Sequence, residues 1–384
     1  MRRVLKGFSL FILLMLGAAT MAYSFIFDKT PQVDPSRVVN SRFVDGTFHN
    51  AITPRGLGFK DAMKSMLRYY TEKSAQAVPD QPTDMLHLTA ADLANAPDQS
   101  LWRLGHSTLL LKLEGKFWLT DPVFAERASP FSFIGPKRFQ APPIDLHDLP
   151  AIEAVILSHD HYDHLDKATV LAIQQKVGHF ITPLGVGDRL IDWGIPATKV
   201  QQLDWWQETQ VGSLRLIATP SQHFSGRSLT DRNHTLWASW VILTPHSRLF
   251  FSGDSGYFDG FKQIGDRFGP FDITMMENGA YNKNWADIHM SPEQTVQAHI
   301  DLRGKWLLPI HNGTFDLAMH AWTEPLDRVT AIASQRDVEV STPRFGERVA
   351  VHAPTQGYAW WHQPQTDQLL SGPARTAEAG AHRS

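Results

Sequence analysis

A chain of 384 residues with 42% hydrophobic and 11% aromatic residues can bury a sizeable core, as one large domain or two ordinary ones. Its 36 basic and 39 acidic residues leave a formal charge of -3 with no basic block beyond the extreme N-terminus, so electrostatics gives no ground for a nucleic-acid partner. Cysteine is absent, which excludes disulfides and thiolate ligands; any metal must be held by histidine and carboxylates.

Arg2, Arg3 and Lys6 precede an uncharged, mostly apolar run at 7–27, which Asp28 ends. The run is long enough to cross a hydrocarbon core of ~30 Å as a signal anchor. A cleaved signal peptide is the alternative, and the charge asymmetry places the domain on the extracytoplasmic, periplasmic side either way. Residues 30–50 read as a linker passing into an extended arm. Phe59, Met63, Met66, Leu67 and Tyr70 then recur at helical spacing, a basic amphipathic helix suited to a bilayer surface or to its own domain. Residues 79–97 form a second connector with a short element at 86–93.

From Leu101 the texture changes to short strands. Segments 108–113 and 117–120 flank Glu114-Gly115 as a hairpin, and 129–143 is a long loop rich in Pro, Phe and basic residues. Further strands are expected at 154–158, 214–219, 238–243, 249–252 and 306–310, and helices at 167–177, 292–301 and 323–334. This alternation predicts an α/β sandwich. The chain divides into an anchor and linker at 1–40, an arm at 41–97, a globular domain at 98–355 and a polar tail at 356–384.

The densest chemistry lies at 154–166, AVILSHDHYDHLD. A buried strand runs into three histidines and an aspartate. In extended backbone alternate residues point the same way, so His159 and His161 can face one cation. Asp163 and His164 lie past Tyr162, where the chain turns, and can face a second. Other strands end similarly: His223 follows 214–219 in TPSQHFSG, Asp254 follows 248–252 in RLFFSGDSG, and His311 follows 306–310 in WLLPIHNGTF.

The order H-x-H-x-D-H, His, Gly-Asp-Ser, His resembles the metallo-β-lactamase superfamily. That resemblance implies a four-layer αββα sandwich with ligands on loops along one edge of its two sheets. It implies two Zn2+ ions per chain: His159, His161 and His223 on one, Asp163, His164 and His311 on the other, and Asp254 bridging. The bridging aspartate and the lack of cysteine argue against a true β-lactamase. A histidine at 161, where iron oxidoreductases of the superfamily typically carry glutamate, favours zinc hydrolysis.

Segments such as WRLGHSTLLLKLEGKFWLTDPVFAERASP, IGPKRF, LSHDHYDHLD, TPSQHFSGRSLTD, GAYNKNW and IHMSPEQTVQAHIDL further resemble the N-acylphosphatidylethanolamine-hydrolysing phospholipase D family. The implied reaction releases N-acylethanolamine and phosphatidic acid from a membrane phospholipid. The nucleophile would be a hydroxide shared by the metals, with Asp163 and Asp254 holding the catalytic centre. His289 and Tyr281, in segments that resemble the family's substrate-side loops, are candidates to orient the phosphate or assist the leaving group; simple packing is the alternative for each. Another phosphodiester, a lactone or a thioester remains an alternative substrate. A non-enzymatic binding module is disfavoured because no ligand is missing. Both a monomer and a homodimer are compatible with the sequence.

His106 is expected to be a hydrogen-bonded structural residue, Asp160 to point away from the metals, and Asp166 to cap a helix or support a ligand. Trp205 and Trp206 read as core. Arg127, Lys137 and Arg138 read as a solvated basic loop, and His147, His179, His234, His246, His299 and His320 as structural.

Overall fold

The computed structural model describes residues 29–54, 68 and 71–362. The apolar run at 7–27, most of the basic helix expected at 59–70, and the tail beyond 362 lie outside the described residues. Among the described residues, no helix is long and apolar enough to cross a membrane.

Strands β1 (Arg42–Val44) and β2 (Thr47–His49) form a small hairpin. A first seven-stranded sheet contains β3 (Ser100–Gly105), β4 (Thr108–Leu113), β5 (Lys116–Thr120), β6 (Ile152–Ile156), β7 (Val177–Pro183), β8 (Val200–Leu203) and β16 (Arg348–Ala350). The second contains β9 (Glu208–Val211), β10 (Leu214–Thr219), β11 (Ser239–Leu243), β12 (Arg248–Phe251), β13 (Phe271–Glu277), β14 (Gly304–Ile310) and β15 (Glu339–Val340). Both are mixed: in the first β3 to β5 are antiparallel and β5 to β8 parallel, and in the second β9 to β12 are antiparallel and β12 to β15 parallel.

Strand alternation explains the layers. In β4, Leu109, Leu111 and Leu113 enter the core between the sheets while Leu110 faces the opposite way; in β10, Leu216 and Ala218 face inward and Ile217 outward. Because both faces of each sheet are buried, these strands read as nearly continuous apolar runs. The outer face of the first sheet is covered by α2 (Lys167–Ile173) and α3 (Val186–Asp192), through Val170, Ile173, Val186 and Leu190. The second is covered by α4 (Gly260–Phe268), α5 (Pro292–Asp301) and α6 (Glu324–Gln335), through Phe261, Ile264, Val296, Val329 and Ala333. The result is the expected αββα sandwich.

Local expectations differ at several points. The helix expected at 167–177 ends at Ile173, because Val177 is needed to open β7, where it pairs in parallel with Ile152. The element expected at 86–93 is α1 (Ala90–Asn95), started by a reciprocal Thr89–Asp92 capping box. The arm is folded onto the domain: Phe48 is buried in the inter-sheet core, and Asp204 accepts from the backbone N–H groups of Val39 and Asn40, at 2.6 Å each. In the loop at 129–143, Arg138 donates to the carbonyls of Val123 (2.6 Å) and Ala125 (2.9 Å), and Arg127 to those of Ser132 (3.1 Å) and Gly135 (2.7 Å). These guanidinium groups brace the loop and are not simply solvated.

The two sheets are tied together next to the metal motif. Trp240 of β11 donates its indole N–H to the carbonyl of Leu157 across the core (2.9 Å), and the N–H of Ala238 donates to the carbonyl of Ser158 (2.9 Å). Trp240→Phe should cost about 1–3 kcal/mol by leaving a buried carbonyl unpaired. Trp240→Ala should cost about 3–5 kcal/mol, because a cavity is added. Urea unfolding of the two variants checks this; a Trp240→Phe variant as stable as the unaltered protein would mean that the cross-sheet bond contributes nothing.

Candidate metal centre

The loops that leave the ends of β6, β10, β12 and β14 converge at one end of the sandwich. After β6 the chain turns within four residues: the N–H groups of His164 (3.0 Å) and Leu165 (2.8 Å) both donate to the carbonyl of His161. This turn directs His159, His161, Asp163 and His164 into one cleft. Asp254 reaches it from β12 because Gly253 has a positive φ of 54° and no side chain; a Cβ there would lie 2.4 Å from that of Ser158.

The side chains fall into overlapping sets. His159, His161, His223 and Asp254 place one donor atom each within 4.8 Å of one another, and so do His106, Asp163, His164 and His311. Asp254 lies between the sets. Its carboxylate oxygens are 3.1 Å from Nε2 of His164 and from Nε2 of His311, 3.6 Å from Nε2 of His223 and 3.8 Å from Nε2 of His159. All seven ligand-type residues are thus brought together. A third set joins Asp254 and His311 to His289.

Neighbours orient the rings. Asp121, directly after β5, accepts from the N–H of Ser158 (2.7 Å) and lies 2.7 Å from Nδ1 of His164, which turns Nε2 of that ring inward. The His223 Nδ1 is 3.0 Å from the carbonyl of Ile288. Asn50, from the arm, accepts from the backbone N–H of His223 (3.1 Å) and donates to its carbonyl (2.7 Å). His106 is hydrogen-bonded, as expected, and its partner belongs to the ligand cluster: Nε2 lies 3.1 Å from Asp163, and its ring packs 3.9 Å from that of His311. The sequence signal available for both Asp121 and His106 was position, since each follows a strand end as the ligands do.

Asp160 points away, as expected, into an ion pair with the buried Arg189 (2.8 Å). Asp166 caps α2 by accepting from the N–H of Ala168 (3.0 Å). Tyr281 is engaged by residues outside the ligand cluster. Its hydroxyl donates to Glu324 (2.7 Å), its ring stacks on His320, and burial with that carboxylate raises its pKa well above the ordinary phenol value.

The electrostatics suits divalent cations. Burial, reinforced by neighbouring imidazoles, holds His159 and His223 well below the usual histidine range, and burial lowers His161, so these rings are neutral donors. Burial opposes charge on Asp163 and Asp254, but His164 and the surrounding imidazoles outweigh it, and both carboxylates stay ionised. Burial likewise opposes charge on His164 and His311, yet Asp254 and Asp163 push the first well up and the second to about 10. A divalent cation would displace those protons and take over the charge balance. His164 Nε2, Asp254 Oδ1 and both ring nitrogens of His311 are buried without hydrogen-bond partners, a condition that folded proteins rarely leave unrelieved. The donor set fits divalent metal ions.

Two packed mixed sheets with a His/Asp metal-binding cluster at their loop edge define a metallohydrolase. The chain belongs to the metallo-β-lactamase superfamily: the family described as "Beta-lactamase superfamily domain" matches residues 118–312. It is 34% identical over 297 residues to N-acyl-phosphatidylethanolamine-hydrolyzing phospholipase D 1 of Caenorhabditis elegans, covering 73% of this chain and 83% of that protein. It is 48% identical over 261 residues to an uncharacterised protein of Mycobacterium tuberculosis, covering 67% and 70% respectively. Among solved structures, an isothiocyanate hydrolase from Delia radicum gut bacteria shares the fold with a TM-score of 0.53 and 24% identity, over 65% of this chain and 98% of that one.

Asp121→Asn should weaken metal binding about 10–100-fold, because His164 loses the carboxylate that orients it. Competition with a chromophoric chelator measures this; unchanged affinity would remove Asp121 from the centre.

Proposed function

We propose that this protein is a zinc-dependent phosphodiesterase of phospholipase D type, hydrolysing N-acylphosphatidylethanolamine to N-acylethanolamine and phosphatidic acid. The observation that carries the reading is the position of Asp254 between two histidine sets, which suits a pair of metal ions acting on one phosphate. The lipid assignment is supported by the similarity to the Caenorhabditis elegans enzyme, which extends over most of that protein.

His159, His161 and His223 would hold one zinc ion, Asp163, His164 and His311 the other, and Asp254 both. When bound, such ions supply a water acidified toward a pKa of ~7 and positive charge for the phosphate oxygens. The chain contributes rigid placement. Asp121 fixes His164, Asn50 and the Ile288 carbonyl fix His223, and the Gly253 turn fixes Asp254. His289 borders His223 and His311, with ring centroids 5.1 and 5.4 Å away, and is the group placed to meet substrate beside the ligands. The apolar run at 7–27 would keep the enzyme at a bilayer on its extracytoplasmic side, next to a lipid substrate.

The full-length protein in detergent micelles containing N-acylphosphatidylethanolamine should release N-acylethanolamine in proportion to its zinc content. Chelation should abolish release, and Asp254→Ala should lower kcat about 1,000-fold or more. Metal-loaded protein that cleaves a generic phosphodiester but leaves the lipid intact would overturn the substrate assignment.

A further inference from the structure

Glu277, the last residue of β13, is a wholly buried carboxylate beside the metal centre that is in neither of the two main ligand sets. A buried carboxylate is costly unless it is fully paired. Here one oxygen accepts from the N–H of Ser255 (2.7 Å), the residue after Asp254, and the other pairs with Nδ1 of His289. The backbone is held on both sides: the N–H of Glu277 donates to the Ser252 hydroxyl (2.8 Å), and its carbonyl accepts from that of Thr295 (2.8 Å). Ser255 Oγ in turn accepts from the N–H of Gln222 (2.9 Å), next to His223. One carboxylate therefore joins the Asp254 turn to His289.

The pairing has a chemical consequence for the ring. In the neutral ring, a carboxylate on Nδ1 keeps the proton there, so Nε2 carries the lone pair. His289 is only partly buried, and among the described residues Nε2 has no hydrogen-bond partner, so that nitrogen is available to the cleft. From this geometry we infer that Glu277 is a positioning residue: it fixes the tautomer and orientation of His289 so that Nε2 faces substrate as an acceptor. The inference rests on the reading of the centre as hydrolytic, and not on the identity of the lipid.

Glu277→Gln separates this role from simple packing. Glutamine has one acceptor where glutamate uses two. If it keeps the Ser255 bond, its NH2 group turns toward His289, so Nδ1 becomes the acceptor and the proton moves to Nε2. The variant should keep its bound metal and unfolding midpoint, lose about 100-fold or more in kcat and change KM less than about twofold. His289→Ala should lose a similar factor, and the double variant should be no slower than the slower single variant.

The tautomer is read directly from nitrogen NMR of histidine-labelled protein. In the unaltered protein the His289 proton should be on Nδ1, a result that does not depend on whether any variant folds. An Nε2 proton there would overturn the inference. So would full activity of Glu277→Gln, an activity loss that only follows lost metal or stability, or a further full loss when the substitution is added to His289→Ala. Rates are measured on bis(p-nitrophenyl) phosphate and on N-acylphosphatidylethanolamine separately. Turnover of the first without the second discards the lipid assignment and leaves the Glu277 test intact.

Discussion

The structure depends on concentrating imidazoles and carboxylates in a place that water barely reaches. His159, His164, His223, Asp254 and His311 are each buried, and Asp254 alone lies within 4 Å of four different histidine rings. Such a cluster is unfavourable by itself, since desolvation penalises every charge in it. Divalent cations resolve the conflict by meeting neutral imidazoles and ionised carboxylates at once. The affinity for metal and the cost of the empty cluster are therefore two sides of one arrangement.

The sandwich pays that cost through its sheets. Strand ends fix where each loop starts, and the inter-sheet core, with Trp240 reaching Leu157, fixes how the two sets of loops meet. The second layer of contacts then removes the remaining freedom: Asp121 on His164, Asn50 on His223, Glu277 on His289. Below the motif, Asp160 and Asp231 share the buried Arg189, and the N–H of Gly226 donates to Asp160 (2.8 Å), which holds the loop after His223 against the motif. A centre supported in this way can bind its substrate without rearranging its ligands.

What was legible in the sequence was the part governed by local rules. His159 and His161 follow from the two-residue period of an extended strand, and His223, Asp254 and His311 from the habit of placing ligands just after buried strands. The α/β sandwich followed from the same alternation. Asp121, His106, Asn50 and Glu277 were not legible in their roles, because each depends on tertiary register. Asp121 meets Ser158 only because Thr120 of β5 lies opposite Ile156 of β6 in a parallel pair, and parallel pairing leaves no mark on spacing. Val177 is ambiguous for a related reason: a short apolar run suits a helix end as well as a strand start, and its partner Ile152 decides. Asn50 comes from an arm that reads as linker, since its contacts are with residues more than 170 positions away.

The proposed sharing of two metal ions by Asp254 leaves its mark on the metal positions themselves. It is tested most directly by anomalous diffraction at the zinc absorption edge from crystals of the purified protein. Two peaks per chain are expected about 3.5–4 Å apart, with Asp254 in contact with both, one peak within reach of His159, His161 and His223, and the other within reach of Asp163, His164 and His311. A single fully occupied peak, or two peaks that do not share Asp254, would contradict it.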